Sequence, residues 1–136
     1  SLSEIVDPLK QVTTFVRDLQ GRVVTKVFND GKSINYGYEN TTSRLKSITD
    51  AKGQTTQFKF FNDDDIKQLS YVNSVVPTAA VSFTYDSVFN RVTTMTDGTG
   101  ITKYYYYPVK IALGAGKIST VDGPLANDVI NFDLLT

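Results

Sequence analysis

Apolar and polar residues alternate strictly over residues 81–86, and this alternation predicts a strand with one apolar face. The apolar positions are Val81, Phe83 and Tyr85. Further along the chain, Val92 and Met95 lie three residues apart and Asp97 follows two places later. Turn-forming residues separate the two patterns, so the chain is predicted to run out, reverse and return.

This unit of strand, turn, strand and turn recurs through the sequence. In most copies the return strand has one apolar residue, a second three places on, and a polar residue two places after that. The polar positions recur about every 23 residues, a period typical of repeat architectures. They are Asp7, Asn29, Asp50, Ser74, Asp97 and Asp122. A basic residue opens five of these six return strands, at Arg22, Arg44, Lys67, Arg91 and Lys117.

The repeats predict an all-β chain, an antiparallel β-meander of repeated hairpins. Helix is excluded because no stretch keeps apolar residues at helical spacing for three turns. Tight turns need glycines with positive φ, which we assign to Gly21, Gly31, Gly53, Gly98 and Gly100. We expect about eleven strands, near residues 12–17, 22–28, 33–39, 44–49, 55–61, 67–73, 80–86, 91–96, 101–107, 116–121 and 128–133.

The spacing of apolar residues on the return strands bears on the form of the sheet. On a regular strand, Leu45 and Ile48 would point to opposite faces, and so would Val92 and Met95. Each pair shares a face only if the strand bulges or coils between its members. One such bulge per repeat predicts a curved sheet.

Residues 85–100 carry the fullest copy of the repeat, in which Tyr85-Asp86 is followed by Asn90-Arg91-Val92 and then by Asp97-Gly98-Thr99-Gly100. This copy resembles the RHS or YD repeat, and the resemblance covers nearly all of the chain. Single copies depart from the pattern. After Tyr38, for example, Glu39 stands where the fullest copy has Asp86. The repeat-signature residues are Asp7, Asp18, Gly21, Arg22, Tyr38, Arg44, Asp50, Gly53, Tyr85, Asp86, Arg91, Asp97 and Gly100.

The resemblance implies a structural role. In that family, arrays of such hairpins form one spiralling sheet that encloses a C-terminal toxic domain in bacteria, and related arrays occur in animal cell-surface proteins. It implies that this chain is a segment of an RHS-like shell in a secreted or cell-surface protein. The implied partner is a cargo domain of the same parent polypeptide. The self-cleaving segment of the family matches no position here.

Composition excludes several classes of function. Fourteen basic residues balance fourteen acidic ones, so no strongly basic surface is available for nucleic acid or an anionic membrane. The chain lacks histidine and cysteine, which removes the usual general base, disulfides and thiolate metal sites. No apolar run is long enough to span a bilayer. We therefore expect neither an enzyme nor a bound cofactor.

Two groups of acidic residues are candidates for chemistry. The run Asn62–Asp65 resembles a calcium site, but it lacks the spaced ligands and the glycine of a calcium loop, which favours a solvated hairpin tip. Asp7, Asp50 and Asp97 could in principle supply a carboxylate pair for glycoside hydrolysis. Their recurrence at turns favours backbone hydrogen bonding instead.

The aromatic run Tyr104–Tyr107 is a candidate for ligand binding. If Tyr105 and Tyr107 keep the register of the repeat, Tyr104 and Tyr106 lie on the other face. There they either cover a neighbouring strand or stack on a glycan. The basic openers of the return strands could likewise contact a polyanion, although acidic residues between them favour local pairing.

We expect residues 1–136 to form a single β-repeat domain, cut in mid-repeat at both ends from a longer array. The predicted function is that of a scaffold that encloses or presents another domain. The alternative is a surface carbohydrate-binding or adhesion module. A sheet with unpaired edge strands near Val12–Arg17 and Val129–Asp133, and with one apolar face, is also expected to self-associate.

Overall fold

The computed structural model describes residues 2–110 and 114–133. Within these ranges the chain forms strands and turns and no helix. The strands are β1 (Leu2–Val6), β2 (Val12–Arg17), β3 (Val23–Val27), β4 (Ser33–Tyr38), β5 (Leu45–Thr49), β6 (Thr55–Phe60), β7 (Ile66–Val72), β8 (Val81–Tyr85), β9 (Val92–Thr96), β10 (Ile101–Tyr106), β11 (Ile118–Asp122) and β12 (Ile130–Asn131).

The twelve strands lie in chain order within one sheet. Each strand pair whose register is described is antiparallel. Short turns join most neighbouring strands, and a short turn can connect only antiparallel neighbours. The predicted fold class, an all-β meander of hairpins, is therefore confirmed.

Strand β1 is the element missing from the eleven expected strands. Sequence reasoning placed the edge of the sheet at Val12–Arg17, but β1 pairs along the whole of β2, from Leu2 opposite Val16 to Val6 opposite Val12. This edge assignment was wrong. Residues 2–7 carry the same apolar and polar spacing as the other return strands, so the sequence contained the signal for this strand.

The turn glycines adopt the predicted backbone conformation at four positions. Gly21, Gly31, Gly53 and Gly100 have positive φ. The expectation for Gly98 was wrong, since Gly98 is not among the residues with positive φ. In the glycine-free hairpin tip, Asp64 takes the left-handed conformation itself, with φ of 72°, as aspartate and asparagine do more readily than most residues.

The predicted bulges occur on four return strands. In each of these hairpins the register shifts, so that one residue of the return strand has no residue opposite it on the outgoing strand. The skipped residues are Val24, Lys46, Thr93 and Ser119. A residue inserted in this way makes the next side chains switch faces.

The bulge explains the three-residue apolar spacing. Leu45 lies opposite Tyr38 and Ile48 lies opposite Tyr36. Tyr36 and Tyr38 are two apart on a regular strand, so all four side chains share one face of the hairpin formed by β4 and β5. Without the extra residue Lys46, Leu45 and Ile48 would lie on opposite faces.

In the second repeat the expected register was off by one. The structure pairs Val23 with Arg17 and Lys26 with Phe15, so Val23 and Lys26 occupy the places of Leu45 and Ile48. Phe28, rather than Asn29, then begins the turn, with its amide bonded to the carbonyl of Lys32 at 2.8 Å. The apolar pattern could not distinguish the two registers, because Val23 and Val24 are equally apolar.

The sheet contains two compact units. The first comprises Ser1–Lys59 and Leu69–Thr78, and the second comprises Phe60–Gln68 and Ala79–Thr136. Across the described residues of both units, no side chain is fully buried. Each unit therefore lacks the closed interior of an ordinary globular domain.

The second unit has one aromatic face and one polar face. Register pairs Met95 with both Phe83 and Thr102, so these three side chains lie on the same side. This aromatic face comprises Phe83, Tyr85, Val92, Met95, Thr102, Tyr104, Tyr106, Ile118 and Val121. The polar face comprises Ser82, Thr84, Thr94, Thr96, Ile101, Lys103, Tyr105, Thr120 and Asp122.

Candidate functional site

The signature acids lie at the hairpin turns and pair with the basic openers. The Asp18 carboxylate is 2.8 Å from Nε of Arg22, and that of Glu39 is 2.9 Å from Nε of Arg44. In the fullest copy, Asp86 lies 3.0 Å from Nη2 of Arg91. The side chains of these pairs are only about a quarter exposed or less. The salt bridge between the acid and the base thus connects the two ends of one turn.

The signature tyrosines connect one repeat to the preceding one. The hydroxyl of Tyr38 donates to the carbonyl of Val23 at 2.8 Å, and that of Tyr106 donates to the carbonyl of Val92 at 2.6 Å. Val23 and Val92 directly precede a bulged residue, where the regular ladder of backbone hydrogen bonds is interrupted. The tyrosine hydroxyl supplies a donor there, which phenylalanine cannot do.

Tyr85 makes the same bond to the carbonyl of Ile66 at 2.9 Å. Ile66 therefore occupies the place of Val23 and Val92, and the opener that precedes it is Asp65. The assignment of Lys67 as a basic opener was wrong. Lys67 instead lies one residue further on, with Nζ 5.4 Å from the centre of the Phe61 ring.

The openers also stack on the tyrosine of the next repeat. The guanidinium carbon of Arg22 lies 4.5 Å from the centre of the Tyr38 ring, and that of Arg91 lies 4.5 Å from the Tyr106 ring. A cation over an aromatic face contributes about 0.5–1 kcal/mol at such partly exposed positions. Asp86, Arg91, Tyr106 and the Val92 carbonyl thus form one connected group, which we call the inter-repeat cluster.

Hydrogen bonds set the electrostatics of the cluster. The backbone amides of Val88 and Phe89 donate to Asp86, and together with Arg91 they lower the pKa of its carboxyl. Burial raises the pKa of the Tyr106 hydroxyl, although the charge of Arg91 opposes this shift. The cluster therefore holds a carboxylate and a neutral phenol at neutral pH, neither of them poised for proton transfer.

The lowered pKa of Asp86 predicts a loss of stability in acid. A carboxyl with a lower pKa in the folded chain stabilises the fold above its unfolded value, about 3.9, and that contribution disappears as pH falls through the folded value. We expect the urea midpoint to be steady from about pH 7 to pH 5 and to fall below about pH 4. Asp86→Asn should make this fall smaller without abolishing it, because the pKa values of Asp18, Asp30, Glu39 and Asp97 are lowered as well. Asp63→Asn at an exposed tip should leave the profile unchanged. A profile unchanged by Asp86→Asn would contradict the role of this carboxylate.

The remaining signature acids accept backbone hydrogen bonds within their own turns. Asp50 accepts from the amides of Lys52 and Gln54, both at 2.9 Å. Asp97 accepts from the amide of Thr99 at 2.8 Å, and Asp7 accepts from that of Gln11 at 2.9 Å. Gly53 and Gly100 complete two of these turns. The recurrence of aspartate is thereby explained by turn geometry.

The acidic run 62–65 forms a hairpin tip. The amide of Phe61 donates to the carbonyl of Asp65 at 2.8 Å, and the amide of Asp64 donates back to the carbonyl of Phe61 at 3.2 Å. Asn62, Asp63 and Asp64 are exposed. Among the described residues, no cluster of three or more acidic side chains is placed to hold a metal ion.

The aromatic run has a register different from the expected one. Tyr106, rather than Tyr105 or Tyr107, occupies the place of Tyr85, since Tyr106 lies opposite Ile118 and bonds to the Val92 carbonyl. Tyr104 and Tyr106 thus lie on the aromatic face together. Tyr105 points to the polar face and is 49% exposed. The error came from four consecutive tyrosines, in which every register has aromatic residues on both faces.

No protein-family model matches this chain, and no curated protein matches it either. In the part of the chain that the structure describes, there is no helix of the length and hydrophobicity needed to cross a membrane.

Proposed function

We propose that this chain is a structural scaffold of the RHS or YD-repeat type. It would form part of the wall that encloses or presents another domain of a larger secreted or surface protein. The observation that supports the proposal is the inter-repeat cluster, in which Asp86 and Arg91 brace one turn and Tyr106 bonds to the adjacent repeat. The most strongly patterned residues of the sequence are used to join repeats.

The recurrence of the cluster supports a role in building an array. Arg22 and Tyr38 form the same stack as Arg91 and Tyr106 in a different part of the chain. A residue that serves one reaction needs to occur only once, whereas a residue that joins neighbouring units must occur in each of them. This pattern favours assembly over catalysis.

The mechanism of such a scaffold is steric. A protease binds its substrate in an extended conformation and needs a locally opened segment. A strand whose backbone is hydrogen-bonded to neighbouring strands on both sides does not offer such an opened segment. The tyrosine bonds at Val23 and Val92 reinforce the sheet next to bulges, where its own ladder is weakest, and Tyr85 makes a similar bond to Ile66.

Limited proteolysis of the parent polypeptide would test the proposal. We expect the region after the sheet to resist cleavage in the wild type and to become sensitive when the joints are broken by Tyr85→Ala together with Tyr106→Ala. The matched control is Tyr105→Ala, which removes an exposed tyrosine beside the cluster. Equal cleavage rates in the wild type and the double variant would contradict a protective wall.

Glycan binding at Tyr104 and Tyr106 is the alternative. In the structure, one side of the Tyr106 ring contacts Arg91 and its hydroxyl is already bonded, which favours the structural role. A glycan-array screen separates the two functions. Binding that is abolished by Tyr104→Ala and retained in Tyr105→Ala would favour the carbohydrate-binding module.

A further inference from the structure

The connection between β7 and β8 differs from the tight turns of the sheet. It comprises residues 73–80 and is the longest connection between two strands that lies wholly within the described residues. Its sequence is Asn-Ser-Val-Val-Pro-Thr-Ala-Ala. The first six of these residues, 73–78, belong to the first unit, and we call them the β7–β8 loop.

Few hydrogen bonds hold the β7–β8 loop in its conformation. Among the described residues 73–78, no backbone amide donates to a backbone carbonyl of the same loop. The bond described within the loop runs from the hydroxyl of Thr78 to the carbonyl of Val76, at 2.9 Å. Pro77 has no amide hydrogen to donate. Little must therefore be broken before this segment can adopt an extended conformation.

The turn between β2 and β3 shows the contrast. Leu19 at its tip is fully exposed, but two backbone hydrogen bonds close the turn around it. The amide of Asp18 donates to the carbonyl of Arg22 at 2.9 Å, and the amide of Gly21 donates to the carbonyl of Asp18 at 3.1 Å. Leu19 can enter an extended segment only after both bonds are lost, so exposure alone does not make a turn a protease substrate.

The side chains of the β7–β8 loop restrict the kind of protease that it fits. Val75 is 80% exposed and Val76 is 70% exposed, so both are available to a partner. Residues 73–80 contain neither a basic nor an aromatic side chain. The S1 pocket of a serine protease selects the side chain before the cleaved bond, and a small pocket of the elastase type is the one that suits valine.

We propose that the β7–β8 loop is a processing site, cleaved between Val75 and Val76 by an endopeptidase with a small aliphatic S1 pocket. Exposed loop tips with small side chains are preferred sites of proteolytic nicking. Cleavage after Val76 is disfavoured, because the rigid ring of Pro77 follows it. Hydrolysis breaks the peptide C–N bond, and water supplies a hydroxyl to the carbonyl carbon of Val75 and a proton to the nitrogen of Val76.

Cleavage at this position would divide the chain without cutting a strand. Strands β1–β7 precede the cleaved bond and strands β8–β12 follow it. The site thus adds to the scaffold role a defined place at which the wall is opened. Its failure would leave the scaffold proposal standing, because protection of the region after the sheet tests that proposal separately.

Limited digestion of the purified chain with pancreatic elastase tests the site directly. Mass spectrometry of samples taken over time identifies which bond is cut first. We expect the first products to be residues 1–75 and 76–136, formed before any cut after Leu19. A first cut at another position, or a folded chain that elastase does not cleave, would overturn the proposal.

A pair of exposed substitutions tests the assignment of Val75 to the S1 pocket. Val75→Asp should slow the first cut about tenfold or more, because a small apolar pocket does not accept an unpaired charge. Leu19→Asp is the matched control at an exposed aliphatic position and should leave the rate unchanged. An unchanged rate of cleavage at the same bond in Val75→Asp would overturn the assignment.

Trypsin separates access to the loop from the preference for valine. Val75→Lys provides a trypsin site in the loop, and the native comparison is Lys52, exposed in a turn closed by backbone bonds from Asp50 to Gln54 and from Gly53 to Asp50. We expect cleavage after residue 75 of the variant to be about tenfold or more faster than after Lys52, because opening that turn breaks two hydrogen bonds. Equal rates, or faster cleavage after Lys52, would contradict the open conformation of the loop.

Discussion

Gly100→Ala is expected to lower the free energy of unfolding by about 3 kcal/mol or more, through backbone strain and overpacking together. Gly100 has φ of +138°, a conformation that side chains rarely adopt. A Cβ added there would lie 2.7 Å from Cβ of Pro124, and a proline ring cannot rotate away. Urea denaturation followed by circular dichroism measures the loss.

Gly21→Ala is the matched control for this prediction. Gly21 also has a positive φ, +82°, but no atom lies within 4 Å of the added Cβ. Only the left-handed conformation is penalised, at about 1 kcal/mol. Equal losses in the two variants would show that Pro124 does not pack against Gly100 in solution.

Tyr106→Ala is expected to cost about 3 kcal/mol, because it removes a ring from the aromatic face together with its hydroxyl bond. Tyr106→Phe should cost about 1 kcal/mol, the contribution of the bond to the Val92 carbonyl alone. The ring itself would still contact Arg91, which lies 4.5 Å from its centre. Denaturation midpoints of the two variants separate the ring from the hydroxyl.

Tyr105→Ala is the control for the Tyr106 variants. Tyr105 is the adjacent residue on the same strand, but it faces the polar side and is half exposed. Its replacement should change stability by about 0.5 kcal/mol or less, as is usual for surface positions. A larger loss at Tyr105 than at Tyr106 would contradict the register of strand β10.

Local pattern was sufficient for the fold class. Val81, Phe83 and Tyr85 alternate in the sequence and lie on a strand in the structure. The three-residue step from Val92 to Met95 predicted a bulge, and the register skips Thr93 between them. Strand, turn and bulge all depend on neighbours within a few residues, so a sequence pattern can specify them.

Register failed where two adjacent residues had similar chemistry. Val23 and Val24 are equally apolar, and only the pairing of Val23 with Arg17 shows which of them is the extra residue. Tyr105 and Tyr106 are identical in type, yet they lie on opposite faces. A one-residue slip reverses every side chain of a strand, and cross-strand contacts choose between the two alternatives.

The inter-repeat cluster was predictable from the sequence only in part. Its acid and base are close in sequence, so the pairing of Asp86 with Arg91 at the ends of one turn was open to prediction. The bond from Tyr106 to Val92 joins residues fourteen positions apart, and it depends on how one hairpin lies beside the next. No local pattern specifies that the tyrosine hydroxyl reaches a carbonyl beside a bulge.

The sequence by itself determined the all-β class, the approximate positions of the hairpin turns and the need for bulges on return strands, because backbone conformation and side-chain alternation are local properties. The tertiary structure decided which residue bulges, which tyrosines bridge repeats and which face carries the aromatic side chains. Those outcomes depend on strand register, which is set by contacts between residues distant in the chain.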